Sequence, residues 1–214
     1  MKKSIIKKIS ILASIILISN GVNANEIKPY IGIGYQMSNV NYNTINGLDY
    51  NNILEDGFSN FNLFSGIKLV DKNLSLELSY FKSKDKNKND NYYPIDLNGD
   101  TVADANSTKS KTSLEIISLD AIYHQKINND FNFLFLGGLS KISVDGEVDY
   151  YNSGSYVLSN SDDQSGYGLN LGLGLEANIY NNISLRGVIK YTTVNSIDYF
   201  DDLVNYNLGV KYQF

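Results

Sequence analysis

The sequence predicts an all-β protein, an eight-stranded antiparallel up-and-down transmembrane β-barrel with short periplasmic turns and long extracellular loops. Three observations predict it. Eight segments alternate apolar and polar residues with a period of two, the signature of strands with one apolar face. The connections between them alternate short and long. The final segment, Leu203 to Phe214, sets Val204, Tyr206, Leu208, Val210, Tyr212 and Phe214 against Asn205, Asn207, Gly209, Lys211 and Gln213, and ends on an aromatic ring. Such a face suits lipid, with its rings at the membrane interface.

The chain has 214 residues, enough for one domain. It opens with the basic Met1-Lys2-Lys3, continues through the apolar run Ile9 to Ile18, and reaches Val22-Asn23-Ala24. A basic start, a short apolar core and small residues at −3 and −1 read as a secretory signal peptide, residues 1–24, cut after Ala24. The apolar run is shorter than the roughly 20 residues that span a bilayer. With no Cys, neither a lipid anchor on the cleavage site nor a disulfide framework is expected. Without Lys2, Lys3, Lys7 and Lys8 the domain at 25–214 has 14 basic and 23 acidic residues, a net charge of −9. That excludes nucleic acid as an expected partner, because phosphate binding needs a basic face.

The strand segments follow in order. Lys28 to Ser38 sets Ile31, Ile33, Tyr35 and Met37 against Gly32, Gly34 and Gln36. Asn60 to Val70 sets Phe61, Leu63, Ile67 and Leu69 against Asn62, Gly66 and Lys68. Leu74 to Lys82 opposes Leu74, Leu76, Leu78 and Tyr80 to Ser75, Glu77 and Ser79. Leu114 to Lys126 is less regular, with Ile117, Leu119, Ala121 and Tyr123 against Ser118, Asp120 and His124. Phe131 to Ser143 places Phe131, Phe133, Phe135 and Leu139 on one face. Tyr167 to Ile179 is the clearest: Tyr167, Leu169, Leu171, Leu173 and Leu175 oppose Gly168, Asn170, Gly172, Gly174 and Glu176. Ile183 to Thr193 sets Leu185, Ile189 and Tyr191 against Arg186, Lys190 and Thr192.

Tight polar turns join segments two to three, four to five and six to seven, at Asp71-Lys72-Asn73, Asn128-Asn129-Asp130 and Tyr180-Asn181-Asn182. Long connections are expected at residues 39–59, 83–113 and 144–166, and a medium one at 194–202. Short turns on one rim and long loops on the other is the bacterial outer-membrane pattern. An even strand number brings the last segment beside the first, closing the cylinder. Closure is required, since lipid cannot satisfy an open sheet edge.

The polar face carries Lys68, Glu77, Asp120, Glu176, Arg186, Lys190 and Lys211. If the turn at Asn181 centres a hairpin, Glu176 lies opposite Arg186. If the preceding short hairpin pairs residues about the turn at Lys72 and Asn73, Lys68 lies opposite Glu77. Opposite charges across a pair stabilise a sheet by about 0.2–1 kcal/mol, and an eight-stranded barrel is just wide enough for side chains to fill. These charges read as an interior network; a lined conduction path is the alternative.

Other residues offer chemistry. His124 is the sole imidazole. Nucleophilic catalysis needs a base touching a nucleophile and an acid orienting the base. His124-Gln125-Lys126 lacks the His-x-Ser arrangement of lipid A deacylases and sits at the short-turn end, so no enzyme is expected. Asp96, Asn98, Asp100 and Asp104 have the spacing of a D-x-N-x-D calcium loop, but Thr101 stands where that loop needs Gly, and Ser107 where it needs a bidentate acid; a solvated acidic turn is the simpler reading and no cofactor is expected. Lys82, Lys84, Lys86 and Lys88 read as a solvated stem or as a contact for lipopolysaccharide phosphates.

With Pro29-Tyr30-Ile31-Gly32-Ile33-Gly34-Tyr35, the glycine-leucine strand at 166–175 and Tyr206 to Phe214, the chain resembles the small outer-membrane β-barrel family that includes the OmpA transmembrane domain, OmpX and the opacity-type surface proteins. The resemblance implies a place in the bacterial outer membrane, among its lipid and lipopolysaccharide. It implies that Tyr206, Leu208, Val210, Tyr212 and Phe214 form a recognition signal for the barrel-assembly machinery. It leaves three roles: a structural or surface-interaction barrel whose loops meet a host or phage ligand, a narrow porin, and a lipid-modifying enzyme.

Overall fold

The computed structural model describes residues 27–45, 48–69, 72–90 and 105–214. In chain order its elements are β1 (Ile27–Tyr42), the short ribbon strands β2 (Thr44–Ile45) and β3 (Leu48–Asp49), the single helical turn α1 (Tyr50–Ile53), β4 (Gly57–Leu69), β5 (Leu74–Lys82), β6 (Lys86–Asp90), β7 (Ser107–Lys126), β8 (Phe131–Asn152), β9 (Ser155–Tyr180), β10 (Ile183–Asn195) and β11 (Phe200–Gln213). The signal-peptide segment 1–24 lies outside the described residues, as do Asp96, Asn98, Asp100 and Asp104.

Eight of the strands form the wall, in the order β5-β4-β1-β11-β10-β9-β8-β7, and pairing of β5 with β7 closes the ring. The last strand lies antiparallel to the first, with Ile33 opposite Val210 and Tyr35 opposite Leu208. Every ladder is antiparallel. Closure leaves no open edge in the wall, which is what a hydrocarbon solvent demands of a sheet.

The period-two alternation sorts each strand between two environments. Ile33, Tyr35 and Met37 on β1, Leu169, Leu171 and Leu173 on β9, and Tyr206, Leu208 and Val210 on β11 point outward and are exposed. Their neighbours Gln36, Ser38, Asn170, Asn205 and Lys211 point inward and are buried. The outward belt is the lipid-facing surface. Inward glycines make room for large inward rings. A Cβ on Gly32 would collide with the Phe64 ring, and one on Gly66 with Tyr30.

Three sequence expectations need correction. The first is register: Lys68 lies opposite Ser75, and Glu77 opposite Gly66, so Lys68 and Glu77 are not partners. The β4–β5 register is displaced by two residues from that expectation, Leu69 facing Leu74, and Asn73, with φ of 49°, takes the left-handed conformation in the turn. The second is the stretch 144–166. It is not a loop; β8 and β9 run on through it as one antiparallel hairpin, pairing Val144 with Gln164 and Tyr150 with Leu158. Ser153 (φ 50°) and Gly154 (φ 84°) make the turn, the two successive positive φ angles that a two-residue hairpin favours. Residues 155–161 are exposed throughout, so no buried face imposed an alternation for the sequence to display. The third is the segment 83–113, in which β6 pairs with β7, Lys88 opposite Ser110.

The lumen has two layers. Toward the short-turn rim it is polar and charged, with a small apolar cluster of Ile122, Leu134, Leu136 and Val188. Toward the long-loop rim it is an apolar core of Val40, Phe58, Phe81, Leu114, Ile116, Ile142, Val144, Phe200 and Leu203, joined by Ile53 and Leu54 from α1 and the residue after it. The polar face expected along the whole wall therefore turns apolar in its upper half.

Candidate functional site

The charged layer is built from strands on opposite sides of the ring. Arg186 on β10 donates to both oxygens of Glu77 on β5, at 2.6 and 2.7 Å. These strands are four places apart in either direction around the ring, so the pair crosses the lumen along a diameter. Tyr30 donates its hydroxyl to the same carboxylate at 3.0 Å, and the Arg186 guanidinium stacks over Phe64, 3.6 Å from the ring centre. Burying such a pair is favourable only with good geometry and further hydrogen bonds; here the phenol supplies one to the carboxylate and the Phe64 ring packs on the guanidinium, whose Nε has no hydrogen-bond partner.

A second pair joins Lys190 to Asp120 at 3.0 Å. Lys190 also donates to Ser118 at 2.9 Å, and Asn170 donates to Asp120 at 2.7 Å. Ser140 and Thr192 both donate to the Asn170 carbonyl. A third pair, Lys211 with Glu176 at 2.5 Å, lies nearest the short-turn rim. Arg186 stands opposite Glu176 in the β9–β10 ladder, yet each makes its ion pair elsewhere. Lys68 makes no ion pair among the described residues; it borders a groove of about 440 Å³ at the short-turn rim with Asp130, Glu176, Asn178 and Ser184. Between the first two pairs is a cavity of about 20 Å³ bordered by Asn205 and Asn207, whose Nδ2 and Oδ1 atoms respectively have no protein partner. That is room for about one water.

His124 has acquired neighbours that no sequence spacing disclosed. Its Nε2 lies 2.7 Å from Ser75 Oγ on the adjacent strand, and its Nδ1 lies 3.9 Å from Glu176 Oε1. Serine, imidazole and carboxylate thus come together in the order of a hydrolase triad. The orienting hydrogen bond is absent at 3.9 Å, Glu176 is committed to Lys211, and Ser75 is 1% exposed. A nucleophile needs room for a reacting group within about 3 Å. Ser75 Oγ and His124 Nε2 satisfy each other within the wall, while His124 Nδ1 has no hydrogen-bond partner.

At the long-loop rim the lysines divide by role. Lys88 turns inward and donates to the Asn51 and Leu54 carbonyls at 2.5 and 3.2 Å, and Ser110 donates to the Ile53 carbonyl at 2.5 Å. Together they hold the carbonyl end of α1 over the apolar layer. Lys82 pairs with Glu115 at 3.2 Å. Lys84 is exposed. Above the rim the β8–β9 hairpin continues with β7 paired along β8 as far as Tyr151, and Tyr156, Val157 and Leu158 near its summit are exposed. Below it, Tyr199 from the β10–β11 connection donates to Asp162 at 2.6 Å. The hydrogen bonds from Tyr199 and Gln164 hold the Asp162 carboxyl below its ordinary pKa. Burial, then the contact with Asp162, pushes the Tyr199 phenol well up. Among the described residues no group of three or more His, Cys, Asp or Glu is placed to hold a metal.

On the outer wall Tyr206, Leu208, Val210, Tyr212 and Phe214 all face outward, and the Tyr212 and Phe214 rings meet edge to face at 5.1 Å. The Phe214 amide donates to the Pro29 carbonyl at 2.9 Å, tying the end of the chain to its neighbour strand.

A family model described as the outer membrane protein beta-barrel domain matches residues 10–214. No curated protein sequence matches. Among solved structures, Ail, the attachment invasion locus protein of Yersinia pestis, is 16% identical, with 88% of this chain and 99% of that one covered at a TM-score of 0.54. Neisserial surface protein A is 13% identical over 87% and 97% of the two chains, at 0.52. OprG from Pseudomonas aeruginosa is 12% identical over 88% and 97%, at 0.52. At these identities the likeness is one of fold.

Proposed function

The chain belongs to the outer membrane protein beta-barrel domain family, and from that premise we propose that it is a sealed outer-membrane barrel whose work is surface attachment through its protruding β8–β9 hairpin. The observation that carries the reading is the division between a filled lumen and an exposed hairpin. The lumen is crossed by the Arg186–Glu77 pair and capped by an apolar layer that α1 enters with Ile53 and Leu54. Such an interior leaves the outward-facing hairpin as the surface available for a partner. The rule that such barrels keep short turns in the periplasm and long connections outside supports an extracellular position for that hairpin.

Two alternatives are weaker. A narrow porin needs a continuous polar path, whereas Phe81, Leu114 and Leu203 are buried in the upper lumen. A lipid-modifying enzyme needs access to a nucleophile, and Ser75 has none. A Ser75→Ala variant therefore leaves the mass of lipid A in expressing cells unchanged. Ail is by its name an attachment protein, which agrees with the reading as a precedent for the fold.

The test replaces residues 145–163 by a short turn. The shortened barrel keeps its heat-modifiable gel migration and reaches the outer membrane, and cells carrying it lose adhesion to host-cell monolayers. Adhesion equal to that of the full-length protein overturns the reading.

A further inference from the structure

We propose that the summit of the β8–β9 hairpin docks a basic, aromatic-bearing protein segment. This inference rests on the attachment reading and names the class of partner.

The first observation is an apolar surface where water would be expected to favour polar residues. Tyr156, Val157 and Leu158 are 60%, 40% and 37% exposed, and Tyr151 adds its ring to Tyr156 edge to face at 6.0 Å. These three consecutive exposed apolar residues, just past the turn at Ser153 and Gly154, are not covered by any described segment. Tyrosines of this kind are the residues on which interfaces concentrate their binding energy.

The second observation selects the occupant. The same hairpin carries Asp145 directly opposite Asp163, both exposed. Like charges facing each other across a ladder destabilise it, and a cationic side chain between them relieves that cost. Glu147 and Asp149 extend the acidic column along β8, opposite Lys111 and Lys109 on β7. Lys111 pairs with Asp85 at 3.0 Å while still facing Glu147, and Lys109 lies over the Tyr151 ring at 4.9 Å. Asp145 and Asp163 make no ion pair among the described residues, and the Tyr151 and Tyr156 rings lie farther out on the same hairpin. A second copy of the chain is disfavoured, because it would bring a like acidic column against this one. A polyanion is disfavoured for the same reason, which separates this surface from Ail, a structure of which holds the heparin analogue sucrose octasulfate. A segment that alternates basic and aromatic side chains meets both features at once.

The test uses the full-length barrel in zwitterionic nanodiscs and a short fluorescent lysine–phenylalanine peptide, with the matching glutamate–phenylalanine peptide as its opposite. Anisotropy is expected to report binding of the basic peptide alone. Replacing Tyr156 and Leu158 by Ser weakens it about tenfold. Asp145→Asn with Asp163→Asn also weakens it about tenfold and flattens its salt dependence. Asp130→Asn with Asp201→Asn, the same charge change away from the hairpin, leaves it unaltered. Heat-modifiable migration verifies that each variant is folded. Binding of the acidic peptide as strongly as the basic one, an equal loss in the Asp130 and Asp201 variant, or self-association of the barrels through the summit overturns the proposal. Loss of cell adhesion on hairpin replacement together with any of those outcomes leaves the attachment reading standing and removes only the basic partner.

Discussion

Arg186 and Glu77 meet across the full width of the barrel, two hydrogen bonds of 2.6 and 2.7 Å between strands that are diametrically opposed. They are 109 residues apart in sequence. The contact ties the two halves of the ring together and occupies the lumen where a solute would pass.

Removing one partner leaves the other charged and buried. Glu77→Ala strands the Arg186 guanidinium and removes the acceptor of the Tyr30 hydroxyl. Breaking a buried pair in this way costs about 3–5 kcal/mol, so the urea midpoint of the barrel in lipid vesicles falls accordingly. A Glu77→Leu, Arg186→Leu double variant recovers most of that loss, since a well-packed apolar pair avoids desolvating two charges. An unchanged midpoint in Glu77→Ala would show that the pair is not formed in the membrane.

The inward glycines are the space into which the large inward side chains fit. Gly66→Ala places a methyl group against the Tyr30 ring and the Leu76 carbonyl. Because the carbonyl belongs to the wall and cannot rotate away, overpacking of about 1–3 kcal/mol follows. Gly187→Ala, whose Cβ meets the Leu208 side chain at an ordinary van der Waals distance of 4.0 Å, is tolerated. The comparison of the two midpoints checks this directly.

The contact between Tyr199 and Asp162 ties the β10–β11 connection to the hairpin and carries a defined pH dependence. The Asp162 pKa is lowered by its hydrogen bonds, so its stabilising share is present above the ordinary carboxylate value and is lost as pH falls through the depressed one. The Tyr199 pKa is raised, so its share is present below the ordinary phenol value and is lost as pH rises through the raised one. The protection factor of amides in residues 196–200, the intrinsic exchange rate at each pH divided by the observed one, is therefore high and level between those limits and falls beyond each. Tyr199→Phe lowers that protection across the whole range, and a protection factor that falls near neutral pH would refute the assignment.

The outward row ending at Phe214 is proposed as the assembly address. Deleting Phe214 lowers the outer-membrane yield more than truncating the segment at 83–113 does, although the deletion removes one residue and the truncation many. Equal yields of the two variants in fractionated membranes would refute it.

The wall was legible in the sequence because lipid enforces alternation. Leu169, Leu171 and Leu173 had to face one way and Asn170 and Gly172 the other, and the same rule set the closing contact of the first and last strands. The 144–166 hairpin was not legible, because residues 155–161 of β9 are exposed throughout and no period is imposed on them, although Val144, Val148 and Tyr150 of β8 turn inward. Interior partners were legible only as types. That Glu77, Arg186 and Lys211 face inward follows from parity along each strand. Which carboxylate meets which cation depends on the position of β5 and β10 across the ring, and a pairwise register cannot supply it. The Lys68–Glu77 expectation failed on the register of the β4–β5 hairpin itself, and Ser75 beside His124 escaped notice because the long connection at 83–113 fixes no register between β5 and β7. The apolar upper lumen was written in Val40, Phe58, Phe81 and Leu203, residues that lie at or beyond the ends of the regular alternation.

Single-channel recording in planar bilayers tests the sealed barrel most directly. With the Arg186–Glu77 pair and the apolar layer in place, the purified protein inserts without producing resolvable conductance steps, and Glu77→Ala combined with Leu114→Ser and Leu203→Ser produces them. Steps from the unaltered protein whose ion selectivity changes in Arg186→Ala would contradict the account, because they would place permeating ions beside the residue held here to close the lumen.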